Sequence, residues 1–227
     1  MKSTIRYITP VALLDVIARI APEFERSTGH QLELLTMLNP EVPSFIRDGS
    51  LWSLAASNPW HLEEVEAHAR GPVLSLGHSP LAFGSVGQVE TAINDEAGIT
   101  EVLRRAGRIG VTGAGTSGGT FGKLLDTLDL ADEMRDCVIP LEGGEPMSQL
   151  IAGEIDLAVL PLTNIAPVKG VRPVVICPWE MEVHIDLALC LHRKTCSGAQ
   201  ANADRLKSTE RKRTLEALEK KRSRRAD

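Results

Sequence analysis

The chain has 227 residues, of which 43% are hydrophobic and only 4% aromatic, and its formal net charge is −5. This length and apolar content suit one large domain or two smaller lobes with a packed core of Leu, Ile, Val and Ala, as in sheets covered by helices on both faces. The charge is unevenly divided: residues 201–227 carry ten Lys/Arg against five Asp/Glu, leaving residues 1–200 at −10, so the body lacks the basic, aromatic-bearing face that nucleic acid requires, and no apolar run reaches membrane-spanning length.

Residues 1–3 run directly into a strand pattern at 5–8 without the apolar core of a signal peptide. The chain as given therefore reads as cytoplasmic, and as periplasmic or extracellular if a leader has been removed. After Thr9-Pro10, Leu13, Leu14, Ile17, Ile20, Ala21 and Phe24 repeat at helical spacing, Gly29 closes the helix, and residues 31–36 alternate as a second strand. This opening βαβ unit favours a parallel sheet. Asn39-Pro40 and Pro43 punctuate a turn before a short helix at 44–48, residues 51–57 resemble another strand, and 61–69 a helix that begins after Asn58-Pro59. Residues 81–86 form an apolar crossing between Gly, Ser and Pro-rich flanks.

A second βαβ unit follows, with a helix at 99–106, a strand at 108–112 and a helix at 120–134. Val138-Ile139 leads to Gly143-Gly144-Glu145-Pro146, a helix at 147–152, a strand at 155–160 broken by Pro161, a return strand at 183–191 and a mostly helical stretch at 201–222. The spacing predicts two α/β lobes, residues 1–80 with 187–227 and residues 81–186, with a basic tail fraying over 205–227. Cys137, Cys177, Cys190 and Cys196 contain no CxxC pair and read as free thiols with no metal site.

Ligands of open parallel sheets bind beyond the carboxyl ends of strands. The turns Thr9-Pro10, Asn39-Pro40, 116–120, 143–145 and 161–164 fall at such ends, so they are expected to converge on one cleft. The segment Gly113-Ala114-Gly115-Thr116-Ser117-Gly118 matches GxGxxG, with Glu142 as the distant acid of a dinucleotide fingerprint, but a complete βαβ unit precedes it. A small-anion cradle fits better: Ser117 and Thr120 supply hydroxyls, Gly118 and Gly119 supply backbone N–H groups, and Thr116 joins them as a ligand-binding residue. The competing reading is a plain helix cap. Glu145 is a candidate proton-transfer base, or a first-turn acid complementing a helix dipole. His61 and His68 read as a solvated face, His184 as structural, and no cofactor is expected.

Residues 7–29, ending in FERSTG, together with Ser117-Gly118 and residues 128–134 (LDLADEM), 153–156 (GEID) and 164–171 (NIAPVKGV), resemble the type II periplasmic-binding-protein superfamily. Within it they are similar to the molybdate-binding-protein-like branch and a group that includes aconitate-isomerase-like proteins. The resemblance implies an α/β fold of two lobes with mixed, mostly parallel sheets, closing on an oxyanion or a di- or tricarboxylate. Its contacts would come from Thr9, Pro10, Asn39, Ser117 to Thr120, Gly144, Glu145 and the turn through Thr163. Molybdate binders present a serine in the first loop and a tyrosine after the Gly-Glu strand, where this chain has Thr9-Pro10-Val11 and Leu160-Pro161-Leu162. The glutamine pair and glutamate of the isomerase-like group are replaced by Leu160-Pro161 and Asn164. These departures speak against molybdate and against carrying catalysis over. The favoured reading is thus a binding protein closing by hinge motion on a small anion; the alternative is an intracellular isomerase of an unsaturated acid using Glu145. A transporter partner is disfavoured without a leader.

Overall fold

β1 (Thr4–Pro10) runs without a break into α1 (Val11–Thr28), whose buried Leu13, Ile17 and Phe24 share one face of the helix. Gly29 ends it at φ 73°, a left-handed conformation that glycine adopts without strain, and its N–H donates to the Glu25 carbonyl at 2.8 Å. β2 (Gln31–Met37) pairs parallel with β1 and completes the first βαβ unit. The structure is a computed structural model that describes residues 4–87, 92–194 and 204. The expected basic tail and Cys196 lie outside the described residues.

Next come α2 (Val42–Arg47), β3 (Leu54–Ser57) and α3 (Pro59–Glu63). The long strand β4 (Leu74–Val86) precedes α4 (Glu96–Arg105), β5 (Ile109–Thr112), α5 (Thr116–Thr127), α6 (Ala131–Met134) and β6 (Val138–Leu141). The chain continues through α7 (Glu145–Ala152), β7 (Leu157–Pro161), α8 (Leu162–Ile165), β8 (Val171–Ile176) and β9 (His184–Leu191). Among the described residues the strands form one mixed sheet in the order β2-β1-β3-β9-β4-β7-β5-β6, with β8 also pairing with β4. The pairings of β1 with β2 and β3, and of β5 with β6 and β7, are parallel. Those of β9 with β3 and β4, and of β4 with β7 and β8, are antiparallel. The sheet is therefore evenly mixed rather than mostly parallel, because antiparallel crossing strands join the two βαβ units. β4 makes the join: Leu74 to Pro80 pair with β9, and Leu81 to Val86 with β7 and β8.

Apolar clusters cover both faces of each half. Ile5, Tyr7, Ile17 and Phe24 pack beneath α1, and Ile8, Val42, Ile46 and Leu62 pack on the opposite face. In the second half, Phe83, Ile99, Leu103, Phe121 and Leu124 form one cluster, and Ala82, Leu150, Ala158 and Ile165 form the other. Phe83 and Phe121 meet edge to face with centroids 5.8 Å apart, joining β4 to α5.

Three elements depart from the sequence reading. The helix expected over 120–134 begins at Thr116 and breaks into α5 and α6, with Asp129 at φ 56° between them. The crossing expected at 81–86 extends back to Leu74, and β8 was not foreseen. The helix expected over 61–69 is a short α3 followed by a single 3₁₀ turn at Glu66–His68.

Beside the join, the His184 ring stacks on Trp179 at 4.3 Å, and His78 lies 4.3 Å from Trp179 and 5.3 Å from His184. Partial burial, and then the neighbouring His184, lower the pKa of His78, although Asp186 acts in the opposite direction. His192 is lowered too, by burial and then by Arg193, Lys194 and His68. A histidine depressed in the folded state binds its proton less readily than in the unfolded chain, so its contribution is complete above about pH 6.5 and is lost as pH falls through the folded value. The melting temperature is expected to fall between pH 7.5 and 5.5, and to fall less in His78→Asn. An equal slope in both proteins would remove His78 from the account.

Candidate functional site

Thr112 ends β5, and Gly115 precedes α5 as its N-cap without a side chain to cap it. The first-turn N–H groups of a helix have no partner within it, and they carry the positive end of the dipole. α5 therefore presents its start, Thr116 and Ser117, to whatever lies beyond the carboxyl end of β5. Two further helices begin at the same place. α1 starts there with Val11 and Ala12, and α7 is preceded by Gly143 and Gly144, the latter at φ 90°. Between them lies a cavity of about 190 Å³.

All five turns singled out in the sequence contribute to its wall: Pro10; Asn39; Thr116 and Ser117; Gly143 and Gly144; Pro161 and Asn164. None of the described residues that line it carries an ionisable side chain. The arrangement offers negative charge three helix N-termini, together with hydroxyl and amide donors, and no fixed cation. The rest of the wall is apolar, from Leu38, Met147, Leu160, Val168 and Ile185.

The polar residues are held by a hydrogen-bonded chain across the two halves of the sheet. The Ser57 hydroxyl donates to both the Asn39 carbonyl and Asn39 Oδ1, each at 3.1 Å. Asn39 Nδ2 donates to Thr116 Oγ1 at 3.3 Å, and that hydroxyl donates to Asn58 Oδ1 at 2.6 Å. Asn58 Nδ2 in turn donates to the Asp186 carbonyl at 2.6 Å. Asn39, Ser57 and Asn58 are all buried, so these bonds fix their side chains away from competing water. On the other flank, Asn164 Nδ2 donates to the Val11 carbonyl at 3.0 Å, tying α8 to the start of α1.

Other residues expected at the site take different places. Thr9 is fully buried in β1, where its hydroxyl donates to the Pro10 carbonyl. Gly118, Gly119 and Thr120 lie inside α5 and do not line the cavity; the Thr120 hydroxyl donates back to the Thr116 carbonyl at 2.9 Å. Gly118 serves packing, since a Cβ there would sit 2.3 Å from the Thr112 carbonyl oxygen. The Thr163 N–H donates to Ser79 Oγ, and its hydroxyl accepts from the same atom. Glu145 is exposed, and its carboxylate accepts the Glu142 N–H at 2.9 Å. With Glu41 and Glu142 it lines a wider outer groove that shares Val11, Leu38 and Gly143 with the cavity.

Val11, Leu38 and Asn58 were not anticipated as site residues, whereas Asn164 closes the 161–164 turn that the sequence singled out. Asn58-Pro59 repeats the Asn39-Pro40 pairing at a strand's carboxyl end, a signal that could have placed it in the network. Burial pushes the Cys177 and Cys190 thiols up to about 12, as suits inert core residues, and no cluster of metal-ligating side chains occurs among the described residues. No helix among them is long and apolar enough to cross a membrane.

A family model described as bacterial extracellular solute-binding protein matches residues 5–217. Among solved structures, the fold is similar to the Azotobacter vinelandii periplasmic molybdate-binding protein, with a TM-score of 0.74 and 18% identity over 91% of this chain and 92% of that one. The sulfate-binding protein of Mycobacterium tuberculosis H37Rv gives 0.66 and 13%, covering 92% and 81%. The substrate binding domain of a putative molybdenum ABC transporter from Clostridium difficile gives 0.64 and 14%, covering 92% and 91%. No curated protein matches by sequence.

Proposed function

Because the chain belongs to the bacterial extracellular solute-binding protein family, we propose that it holds one small anion, an oxyanion or an organic carboxylate, in the cavity where α1, α5 and α7 begin. The observation that carries this reading is the convergence of three helix N-termini on a wall with neutral donors and no ionisable side chain. Ser117, Asn39 and Asn164 are the side-chain donors, Thr116 holds Asn39 and Asn58 in place, and the Gly143-Gly144 turn lets the backbone approach the ligand.

The two halves of the sheet act as lobes. β4 and the segment between β8 and β9 form the hinge, and the bonds from Thr116 and Asn164 favour the closed form. Family membership supports a site of action outside the cytoplasm over the cytoplasmic one expected from the sequence. A transporter is then a fitting recipient, as the name of the C. difficile neighbour describes for that protein.

A thermal-shift screen of oxyanions and small carboxylates tests the reading. Saturation at about a hundred times Kd adds roughly 2.7 kcal/mol, which for a chain of this length raises Tm by about 5–10 °C. NAD is expected to give no shift; a shift with NAD and none with any anion would reinstate the dinucleotide reading. Glu145→Gln is expected to change anion affinity by no more than about twofold, as for a surface substitution away from the contacts. A tenfold loss, or conversion of trans-aconitate followed in the ultraviolet and abolished in this variant, would restore Glu145 as a proton-transfer base.

A further inference from the structure

We infer that the ligand is a singly charged organic acid with a compact, branched apolar body, in preference to a bare inorganic oxyanion or a tricarboxylate. The inference rests on the anion-binding reading above and narrows it, from three features of the same site.

The first is volume. A tetrahedral oxyanion occupies roughly two to three water volumes, about 60–90 Å³, whereas the cavity measures about 190 Å³. More than half the space is left once the charged head is seated. The second is the mixed chemistry of the wall. Beside the donors at Asn39, Ser117 and Asn164 it includes Met147, Leu160, Pro161 and Val168. Pro161 offers no N–H and no hydroxyl, and the other three side chains are apolar, so an anion's oxygens placed against them would lose their hydration without replacement. An alkyl group there gains instead, at roughly fourfold in affinity per buried carbon.

The third is charge. With no arginine or lysine among the described residues of the wall, a second or third carboxylate has no partner there. Nor is the outer groove favourable to extra negative charge: Glu41, Glu142 and Glu145 line it, with the carboxylates of Glu41 and Glu145 fixed on the Leu38 and Glu142 N–H groups. That rim repels a multiply charged anion more strongly than a singly charged one. One anionic head at the helix N-termini and one apolar body against Met147, Leu160, Pro161 and Val168 satisfy all three features together.

Titration calorimetry with acetate, propanoate and isobutyrate, beside sulfate, molybdate and trans-aconitate, tests this on the full chain. Affinity is expected to rise by about tenfold from acetate to isobutyrate, and isobutyrate to exceed sulfate, molybdate and trans-aconitate by at least as much. Raising the salt concentration is expected to narrow the gap to the multiply charged anions by screening the rim. Met147→Gln is expected to erase the gain along the alkyl series, lowering isobutyrate affinity by more than any change in sulfate affinity. Flat affinity along the series, sulfate, molybdate or trans-aconitate binding as tightly as isobutyrate, or an equal loss for sulfate and isobutyrate in Met147→Gln would each overturn the inference while leaving the anion-binding reading intact. If no anion binds, the anion-binding reading fails and this inference falls with it.

Discussion

Gly118→Ala is expected to lower the melting temperature by about 2–12 °C and to abolish ligand binding, whereas Gly119→Ala, one residue on, is expected to raise it. The two glycines look alike in the sequence and sit on the same turn of α5. A Cβ on Gly118 would lie 2.3 Å from the Thr112 carbonyl oxygen and 3.2 Å from its carbon, backbone atoms that cannot rotate away. The first turn of α5 must then lift off β5, an overpacking cost of roughly 1–3 kcal/mol, which corresponds to about 2–12 °C at about 2–4 °C per kcal/mol for a chain of this length. The same movement carries Thr116 and Ser117 away from Asn39 and Asn58. A Cβ on Gly119 meets nothing within 4 Å, so alanine there gains about 1 kcal/mol of helix propensity. Melts followed by circular dichroism distinguish them. Equal transitions in the two variants would mean that the contact between α5 and β5 is not as close as described.

Thr116→Val is expected to weaken ligand binding by about ten- to a hundredfold while leaving the protein folded. Valine keeps the shape but removes the hydroxyl that accepts from Asn39 Nδ2 and donates to Asn58 Oδ1. Asn58 is fully buried, and in the closed form its oxygen would lose this partner. Leaving buried polar groups unpaired costs roughly 1–3 kcal/mol, and at 1.4 kcal/mol per tenfold that sets the expected range. Opening the cleft lets water reach both groups, so the cost appears in the closure equilibrium more than in unfolding. Thr116→Ser restores the hydroxyl and is expected to bind within a few-fold of wild type. Calorimetry with small-angle scattering checks both halves: a larger radius of gyration for Thr116→Val without ligand, and weaker binding. Undiminished affinity in Thr116→Val would show that the hydroxyl bridge does not hold the cleft closed.

The two βαβ units and the turns that meet at the cavity were legible because Gly and Pro mark strand ends and helix starts along the chain, as at Thr9-Pro10 and Gly143-Gly144. The parts that were not legible share a physical cause, packing that overrides local signals. α5 begins four residues earlier than its propensity suggests, because Gly118 permits a close helix–strand contact that outweighs the poor helix propensity of two adjacent glycines. The break after α5 was hidden because Leu128 and Leu130 keep an apolar pattern on both sides of Asp129, whose positive φ is uncommon for a residue other than glycine. The first half of β4 carries Ser75, Gly77, His78 and Ser79, and its pairing register shifts between Ser75 and Gly77, so period-two alternation fails there. β8 contains Pro173, a residue that argues against a strand unless the strand lies at an edge or beside an irregularity, and its register with β4 does shift at Phe83/Gly84. The bond between Thr116 and Asn58 joins residues 58 apart in the chain, and no local pattern reports it. The same holds for Asn164, which meets Val11 across 153 residues.

In the proposed function the start of α5 forms the wall of the ligand site. Titration calorimetry of the wild type and of Ser117→Leu, with the tightest anion of the series, tests it most directly, because Ser117 is buried and lines the cavity, so leucine places an apolar side chain where the charged head should sit. One anion is expected to bind per wild-type chain, with a loss of at least about a hundredfold in Ser117→Leu, whose thermal transition stays cooperative. Equal affinity in the two proteins would place the ligand away from the start of α5.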